Sequence, residues 1–163
     1  MYSIIGTLKI KEVIEMSQER EIPRVFRIVV AGVIVKEKSV LLLQRRDDED
    51  VFPGIWELPS GKREFNETSV EALVREMKEE TGLSVIVKHP ISVFEYTVET
   101  TNEIRDTTQI NFLAYPSDPL QRVSINKEKH QAARWFSKEE LLSLQNISEE
   151  TRKCAIEALE AQT

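Results

Sequence analysis

The sequence is short of cysteine, of positive charge and of metal-binding soft ligands, and each shortage excludes a class of protein. Its 163 residues include one cysteine, Cys154, so the chain forms no internal disulfide, and they include no cluster of histidine and cysteine that would suit zinc. The formal net charge is −6. A general binder of nucleic-acid backbones needs a basic surface, so we expect no nucleic-acid partner.

Long apolar runs are also missing. Arg27 interrupts the most hydrophobic stretch, and the start of the chain has no secretory apolar segment, so we expect a cytoplasmic protein without a membrane span. With 40% apolar and 31% charged residues, the chain is expected to form one domain with a substantial core. We place that domain at residues 23–163. Residues 1–22 form an N-terminal extension that shows both strand-like and helix-like patterns and is a candidate homodimer contact.

One stretch, residues 61–83, stands out from this ordinary composition with the sequence GKREFNETSVEALVREMKEETGL. Thr68 followed by Glu71 has the form of a capping box, which marks the start of a helix. Gly82 suits the left-handed position just past a helix end. The spacing therefore predicts a helix over about residues 69–81.

This helix is expected to have an apolar face and an acidic face. At 100° per residue, four apolar side chains share an arc of roughly 100° that we expect to pack on a core: Val70, Leu73, Val74 and Met77. Three carboxylates share another arc, beside Arg75: Glu76, Glu79 and Glu80. Such an arc is costly unless a cation neutralises it, which favours a divalent metal site, and an ordinary solvated face is the alternative.

The same stretch resembles the Nudix box, in which a glycine, five residues, a glutamate and seven residues precede R-E-apolar-x-E-E-x-G-apolar. Every specified position is filled, and by chance this should happen on the order of once in a million chains of this length or less. FPGIWELPSGK resembles the lead-in of MutT-like members, and RWFSKEEL resembles a segment near the family's C-terminus. The resemblance spans roughly Val25 to Leu142. It implies an α/β protein with the Nudix fold, an α/β/α sandwich with a mixed sheet, and the alternation of strand and helix patterns favours the same class.

The resemblance implies hydrolysis of a nucleoside diphosphate linked to another group. Water must attack an anionic phosphorus there, so divalent cations are needed, and carboxylate oxygens suit Mg²⁺ or Mn²⁺. The implied catalytic residues are Arg75, Glu76 and Glu79. The implied metal ligands are Glu76, Glu79 and Glu80, the backbone carbonyl of Ser60, and Glu67 acting through water or another ligand. Arg75 is expected to fix the Glu76 carboxylate by charge-assisted hydrogen bonds.

Residues outside the box are candidates for the general base and for substrate contacts. Three acids in the region of a predicted hairpin loop are candidate bases, and the first ranks highest: Glu103, Glu99 and Asp106. An ordinary charged loop is the alternative. The candidate phosphate contacts are Lys62, Arg45 and Arg46, with solvated surface as the alternative. Trp56, Phe52 and Phe94 are candidates to stack on a base or to pack in the core. We expect His130 to be an ordinary surface histidine.

Three hypotheses for the function follow. The lead-in favours a MutT-like pyrophosphohydrolase that acts on nucleoside triphosphates, oxidised ones included. The second is an ADP-ribose or nucleotide-sugar pyrophosphatase, although the proline that often follows the box in the ADP-ribose group has no counterpart at Val98 and Glu99. The third is a non-catalytic nucleotide-binding Nudix module, which predicts that a box glutamate is lost, whereas all are present. In each case the expected partner is a small nucleotide.

Overall fold

The structure is a computed structural model, and it describes residues 22–161. The expectations for the N-terminal extension lie outside the described residues, apart from Ile22, and stay predictions. None of the helices in the described range has the length and hydropathy needed to cross a bilayer.

The described residues form seven strands and three helices. Along the chain the strands are β1 (Arg24–Lys36), β2 (Ser39–Arg45), β3 (Trp56–Glu57), β4 (Ser60–Lys62), β5 (Val85–Glu99), β6 (Ile104–Pro116) and β7 (His130–Phe136). The helices are α1 (Ser69–Thr81), between β4 and β5, and α2 (Lys138–Ser143) and α3 (Glu149–Glu160), after β7.

The strands make one mixed sheet with β1 at its centre. The main strand order is β3-β2-β1-β6-β5, with β4 paired to β1 and β7 paired to β2. β1 runs parallel to β6, while the pairs β1–β2, β1–β4 and β5–β6 are antiparallel. β1 and β2 form a hairpin, in which Lys36 lies opposite Ser39. Its loop residues Glu37 and Lys38 have φ of 48° and 63°, as a two-residue type I′ turn requires.

Alternate residues of β1 enter two separate cores, because successive side chains of a strand point to opposite faces. On one face, Val30 and Ile34 join an apolar cluster with Leu73 of α1. On the other face, Val33 joins a cluster with Ala155 of α3. The sheet therefore lies between helices, and the predicted α/β/α sandwich with a mixed sheet is confirmed.

The ends of α1 agree with the sequence prediction. The helix spans Ser69–Thr81, and Thr68 and Glu71 form both hydrogen bonds of the capping box. Gly82 follows the helix with φ of 71°, a left-handed conformation that glycine adopts without steric cost.

The buried face of α1 differs from the predicted apolar arc. Val70 and Val74 are 46% and 42% exposed, so the expectation that they pack on a core is wrong. Ala72, Glu76 and Glu80 are buried in their place. The helix turns its acidic side towards the sheet because both buried carboxylates pair with cationic side chains: Glu76 with Arg75, and Glu80 with Lys129.

This rotation predicts unequal effects of truncating two neighbouring side chains. Leu73 is fully buried, so Leu73→Ala should lower the free energy of unfolding by about 2–5 kcal/mol. Val74→Ala should lower it by less than about 1 kcal/mol, because that side chain is largely solvated. Urea denaturation of both variants measures the difference, and equal losses would contradict the observed orientation of the helix.

Candidate active site

The strand β4 and the helix α1 meet at Gly61. Pairing with β1 places Gly61 opposite Val30, at the centre of the sheet. The Glu76 carboxylate lies directly over this glycine, because a Cβ built on Gly61 would come within 1.9 Å of Glu76 Cδ. Only a residue without a side chain leaves room for the carboxylate there. The Glu76 side chain is accordingly only 8% exposed.

Arg75 joins the loop before α1 to the carboxylates on the helix. Its Nη2 donates to Glu67 Oε1 at 2.7 Å and its Nε to Glu67 Oε2 at 3.1 Å. Its Nη1 donates to Glu76 Oε1 at 2.8 Å and reaches Glu79 Oε2 at 3.4 Å. The remaining Nη2 contact, at 3.0 Å, is to the backbone carbonyl of Lys62. One guanidinium therefore holds three box glutamates in one place.

Glu80 has a different set of partners. Its side chain is 1% exposed, and Oε1 accepts a hydrogen bond from Lys129 Nζ at 2.7 Å. Oε2 lies 3.1 Å from His130 Nδ1, although these two buried atoms make no aligned hydrogen bond. The other ring nitrogen of His130 lies 3.2 Å from Glu57 Oε1. His130 is only 4% exposed, so the expected surface histidine is wrong.

The pKa values of these groups follow from burial and charge. Burial raises the pKa of Glu76, and the hydrogen bond from Arg75 offsets part of that rise. Burial also acts to raise the pKa of Glu80, but the contacts with His130 and Lys129 outweigh it and hold the pKa below its usual value. Burial opposes protonation of His130, yet its two carboxylate neighbours outweigh it and raise its pKa. Glu80 is therefore held between the Lys129 ammonium and the His130 imidazole, and both neighbours favour its ionised form.

Arg45 belongs to the same neighbourhood, whereas Arg46 points elsewhere. Nη1 of Arg45 lies 3.4 Å from Glu57 Oε1, the oxygen that also contacts His130. Arg46 instead forms an exposed pair with Asp48 at 2.6 Å. Nη1 of Arg46 also donates to the backbone carbonyl of Lys127 at 3.3 Å. The predicted roles of both arginines at substrate phosphates stay predictions.

The other predicted site residues are Ser60 and Lys62 in β4, Trp56 in β3 and Glu103 before β6. Ser60 and Lys62 flank Gly61 in β4. Trp56 packs its ring edge on Phe136, with the centroids 4.9 Å apart, so its ring contacts the core. Glu103 Oε1 accepts from Arg27 Nη2 at 2.6 Å and from Arg105 Nε at 2.5 Å. The hydrogen bond from Arg105, with the nearby positive charges, lowers the pKa of Glu103.

A row of polar side chains on β5 and β6 was not predicted from the sequence. Tyr96 Oη donates to Gln109 Oε1 at 3.4 Å, Gln109 Nε2 donates to Asn111 Oδ1 at 2.9 Å, and Asn111 Nδ2 donates to Ser92 Oγ at 2.9 Å. Burial raises the pKa of Tyr96, and the charge of Glu57 raises it further. In the sequence, Gln109 and Asn111 alternate with the apolar Ile110, and this alternation could have indicated the row.

The carboxylates suit a divalent cation by their chemistry, but each of them is already paired with a cationic side chain of the protein. Within residues 22–161, no three side chains of histidine, cysteine, aspartate or glutamate converge as a metal site. Each box glutamate instead contacts a cationic side chain of the protein. Carboxylate oxygens are the ligands that hard divalent cations prefer, and the buried Glu80 Oε2 has no aligned hydrogen bond. The donor set therefore fits such a cation once the contact between Lys129 and Glu80 opens.

Comparison with known proteins gives a consistent result. The NUDIX domain model matches residues 25–157. A MutT-like protein of Streptomyces ambofaciens is 34% identical over 124 residues, which are 76% of this chain and 72% of that protein. The CTP pyrophosphohydrolase of Escherichia coli K12 is 34% identical over 114 residues, 70% of this chain and 78% of that protein. Other relatives are named ADP-ribose pyrophosphatase and 8-oxo-dGTP diphosphatase.

Solved structures agree with the sequence matches. The crystal structure of a MutT protein from Methanosarcina mazei Go1 superposes with a TM-score of 0.64 at 27% identity, covering 87% of this chain and 96% of that one. The matched region contains the complete box and the sheet that positions it. The chain therefore belongs to the Nudix hydrolase family as a MutT-like member, and it is a pyrophosphohydrolase that acts on a phosphoric anhydride.

Proposed function

We propose that the protein hydrolyses nucleoside triphosphates, oxidised ones included, to the monophosphate and pyrophosphate. The observation that carries this proposal is the intact box, in which Arg75 holds Glu67, Glu76 and Glu79 against the glycine of β4. The lead-in WELPSGK and the match to a CTP pyrophosphohydrolase over most of both chains support a triphosphate substrate. The cation is proposed to be Mg²⁺ or Mn²⁺.

Nudix hydrolases use divalent metal ions, and the residues that would hold one here are Glu76, Glu79 and Glu80, with Glu67 and the carbonyl of Ser60. A bound cation would neutralise charge on the diphosphate and make water more acidic. The protein's own part is to fix these oxygens before substrate arrives. Arg75 does this for Glu67 and Glu76, and a preorganised site loses less free energy to reorganisation during the reaction.

The proton of the attacking water needs an acceptor, and we propose Glu76 or Glu79 ahead of Glu103. Two arginines occupy the same oxygen of Glu103 and lower its pKa, which makes it a weaker base. Glu76 lies buried over Gly61, and the Glu79 side chain is 54% exposed. Glu76 and Glu79 both belong to the box, and both contact Arg75. Glu103 lies outside the box and pairs with other arginines.

The base of the nucleotide is proposed to lie along the polar row of β5 and β6. Amide and phenol groups there can exchange hydrogen bonds with a base edge, and Phe94 stacks on Tyr96 with centroids 5.6 Å apart. Lys62 follows the box glycine and Arg45 contacts Glu57, and we propose that both contact phosphate oxygens. Arg45 is linked to Glu80 through Glu57 and His130.

Replacing Glu79 tests the assignment of the acidic face. Glu79→Gln should leave the melting temperature nearly unchanged, because the side chain is 54% exposed. It should lower kcat by well over tenfold, because one metal ligand is lost. The matched control is Glu150→Gln on an exposed position of α3. Rates like those of the unmodified protein at limiting Mg²⁺ would contradict the assignment.

Replacing Gly61 tests the contact between β4 and Glu76. In Gly61→Ala the new Cβ would occupy the space of the Glu76 carboxylate, so the carboxylate must move. We expect kcat to fall by more than tenfold, with a smaller effect on KM for the nucleotide. Steady-state kinetics and a thermal melt on the same sample distinguish a displaced Glu76 carboxylate from an unfolded protein. An unchanged kcat would show that the position of Glu76 is not critical.

A substrate screen tests the proposed reaction. Nucleoside triphosphates, oxidised triphosphates, ADP-ribose and nucleotide sugars are incubated with the protein and Mg²⁺, and chromatography separates the products, which are nucleoside monophosphates, sugar phosphates, phosphate and pyrophosphate. We expect monophosphate and pyrophosphate from triphosphates. Turnover of ADP-ribose or a nucleotide sugar alone would replace this proposal with the second hypothesis. Binding without turnover of any compound would indicate a non-catalytic module.

A further inference from the structure

Lys129 places a positive charge of the protein on a carboxylate that the proposed function assigns to the metal. Its Nζ lies 2.7 Å from Glu80 Oε1. Beyond that hydrogen bond, the charges of Glu80, Glu76 and Glu79 all act to raise the pKa of Lys129. The ammonium therefore lies within the field of all three carboxylates on the acidic arc of α1.

The two oxygens of Glu80 are held in different ways. Oε2 faces the interior, 3.1 Å from Nδ1 of His130, a side chain that is 5% exposed. His130 is itself held on its other side by Glu57, 3.2 Å away. Oε1 faces the Lys129 side chain, which is 56% exposed. One oxygen of Glu80 thus lies beside a buried imidazole, while the other is paired with a group that reaches into solvent.

We propose that Lys129 is an internal counter-cation of Glu80, which competes with the divalent metal for the same carboxylate oxygen. The inference rests on the proposed metal-dependent function. Two cations cannot both contact one oxygen without strong repulsion. Lysine carries its charge on a flexible four-carbon stem, and an exposed ammonium leaves an ion pair at low cost. Lys129 can therefore neutralise Glu80 before the metal binds and move away when it binds.

This arrangement has two consequences for the metal-free protein. First, it keeps the buried Glu80 charge paired, so the carboxylate contributes less repulsion towards Glu76 and Glu79. Second, it weakens metal binding, because the metal must displace the ammonium. The competing possibility is that Lys129 serves as a point-charge contact for substrate phosphates. The two roles can be distinguished without nucleotide. A counter-cation changes the affinity of the protein for the metal, whereas a phosphate contact leaves that affinity unchanged.

The test measures Mn²⁺ binding to the nucleotide-free protein, by electron paramagnetic resonance of the free ion or by calorimetry. Lys129→Met should lower the Kd for Mn²⁺ by about threefold to tenfold, because the competing charge is removed while the carboxylates remain. Lys129→Arg keeps the charge, and its Kd should stay within about twofold of the unmodified protein. Lys127→Met is the matched control, since it removes an equally exposed lysine two positions away.

A thermal melt of the same proteins provides a second readout. In chelator, Lys129→Met should melt below the Lys127→Met control, because the buried Glu80 has lost a partner. Added Mn²⁺ should raise its melting temperature by more than it raises that of the unmodified protein.

Each other outcome overturns a specific claim. Equal or weaker Mn²⁺ binding in Lys129→Met than in Lys127→Met would overturn the competition. A raised KM for nucleotide with an unchanged Kd for Mn²⁺ would assign Lys129 to the phosphates instead. If neither the unmodified protein nor any variant bound Mn²⁺, the proposed metal-dependent function would fall together with this inference.

Discussion

The structure depends on the pairing of buried carboxylates with cations supplied by the chain itself. Glu76 and Glu80 are 6% and 1% exposed, and an unpaired charge at such positions would cost several kcal/mol. Arg75 pairs with Glu76, and Lys129 pairs with Glu80, which also lies beside His130. Because these pairs exist, α1 can turn its acidic side to the sheet. The same pairs hold the carboxylates in place for a cation that could replace one of the partners.

The sheet supplies the other half of the site. β4 adds to the centre of β1, which brings a glycine under the Glu76 carboxylate. β2 pairs with both β3 and β7, which bring Glu57 and His130 together, and His130 lies between Glu57 and Glu80. Charged side chains of α1, β3 and β7 are therefore grouped together, and the polar row lies on β5 and β6. This combination suits a ligand with an anionic end and a base.

Local rules explain what the sequence could predict. The ends of α1 follow from the capping box at Thr68 and from Gly82. The strand order does not follow from local rules, because β1 pairs with β6 and β2 pairs with β7 across long stretches of the chain. The rotation of α1 was not predictable in this way. Lys129 lies 49 residues after its partner Glu80, and His130 lies 73 residues after Glu57, so no local sequence pattern indicates either contact. Helical periodicity assigned Val70 and Val74 to the core because it counts an acidic side chain as solvated.

The central claim is that the box carboxylates hold a divalent cation once the ion pairs within the protein open. The most direct measurement is anomalous diffraction from crystals soaked in Mn²⁺. The account predicts an anomalous peak in contact with oxygens of Glu76, Glu79 and Glu80, with the Lys129 ammonium moved away from Glu80. A fully soaked crystal with no peak there, and with Lys129 still bound to Glu80, would contradict it.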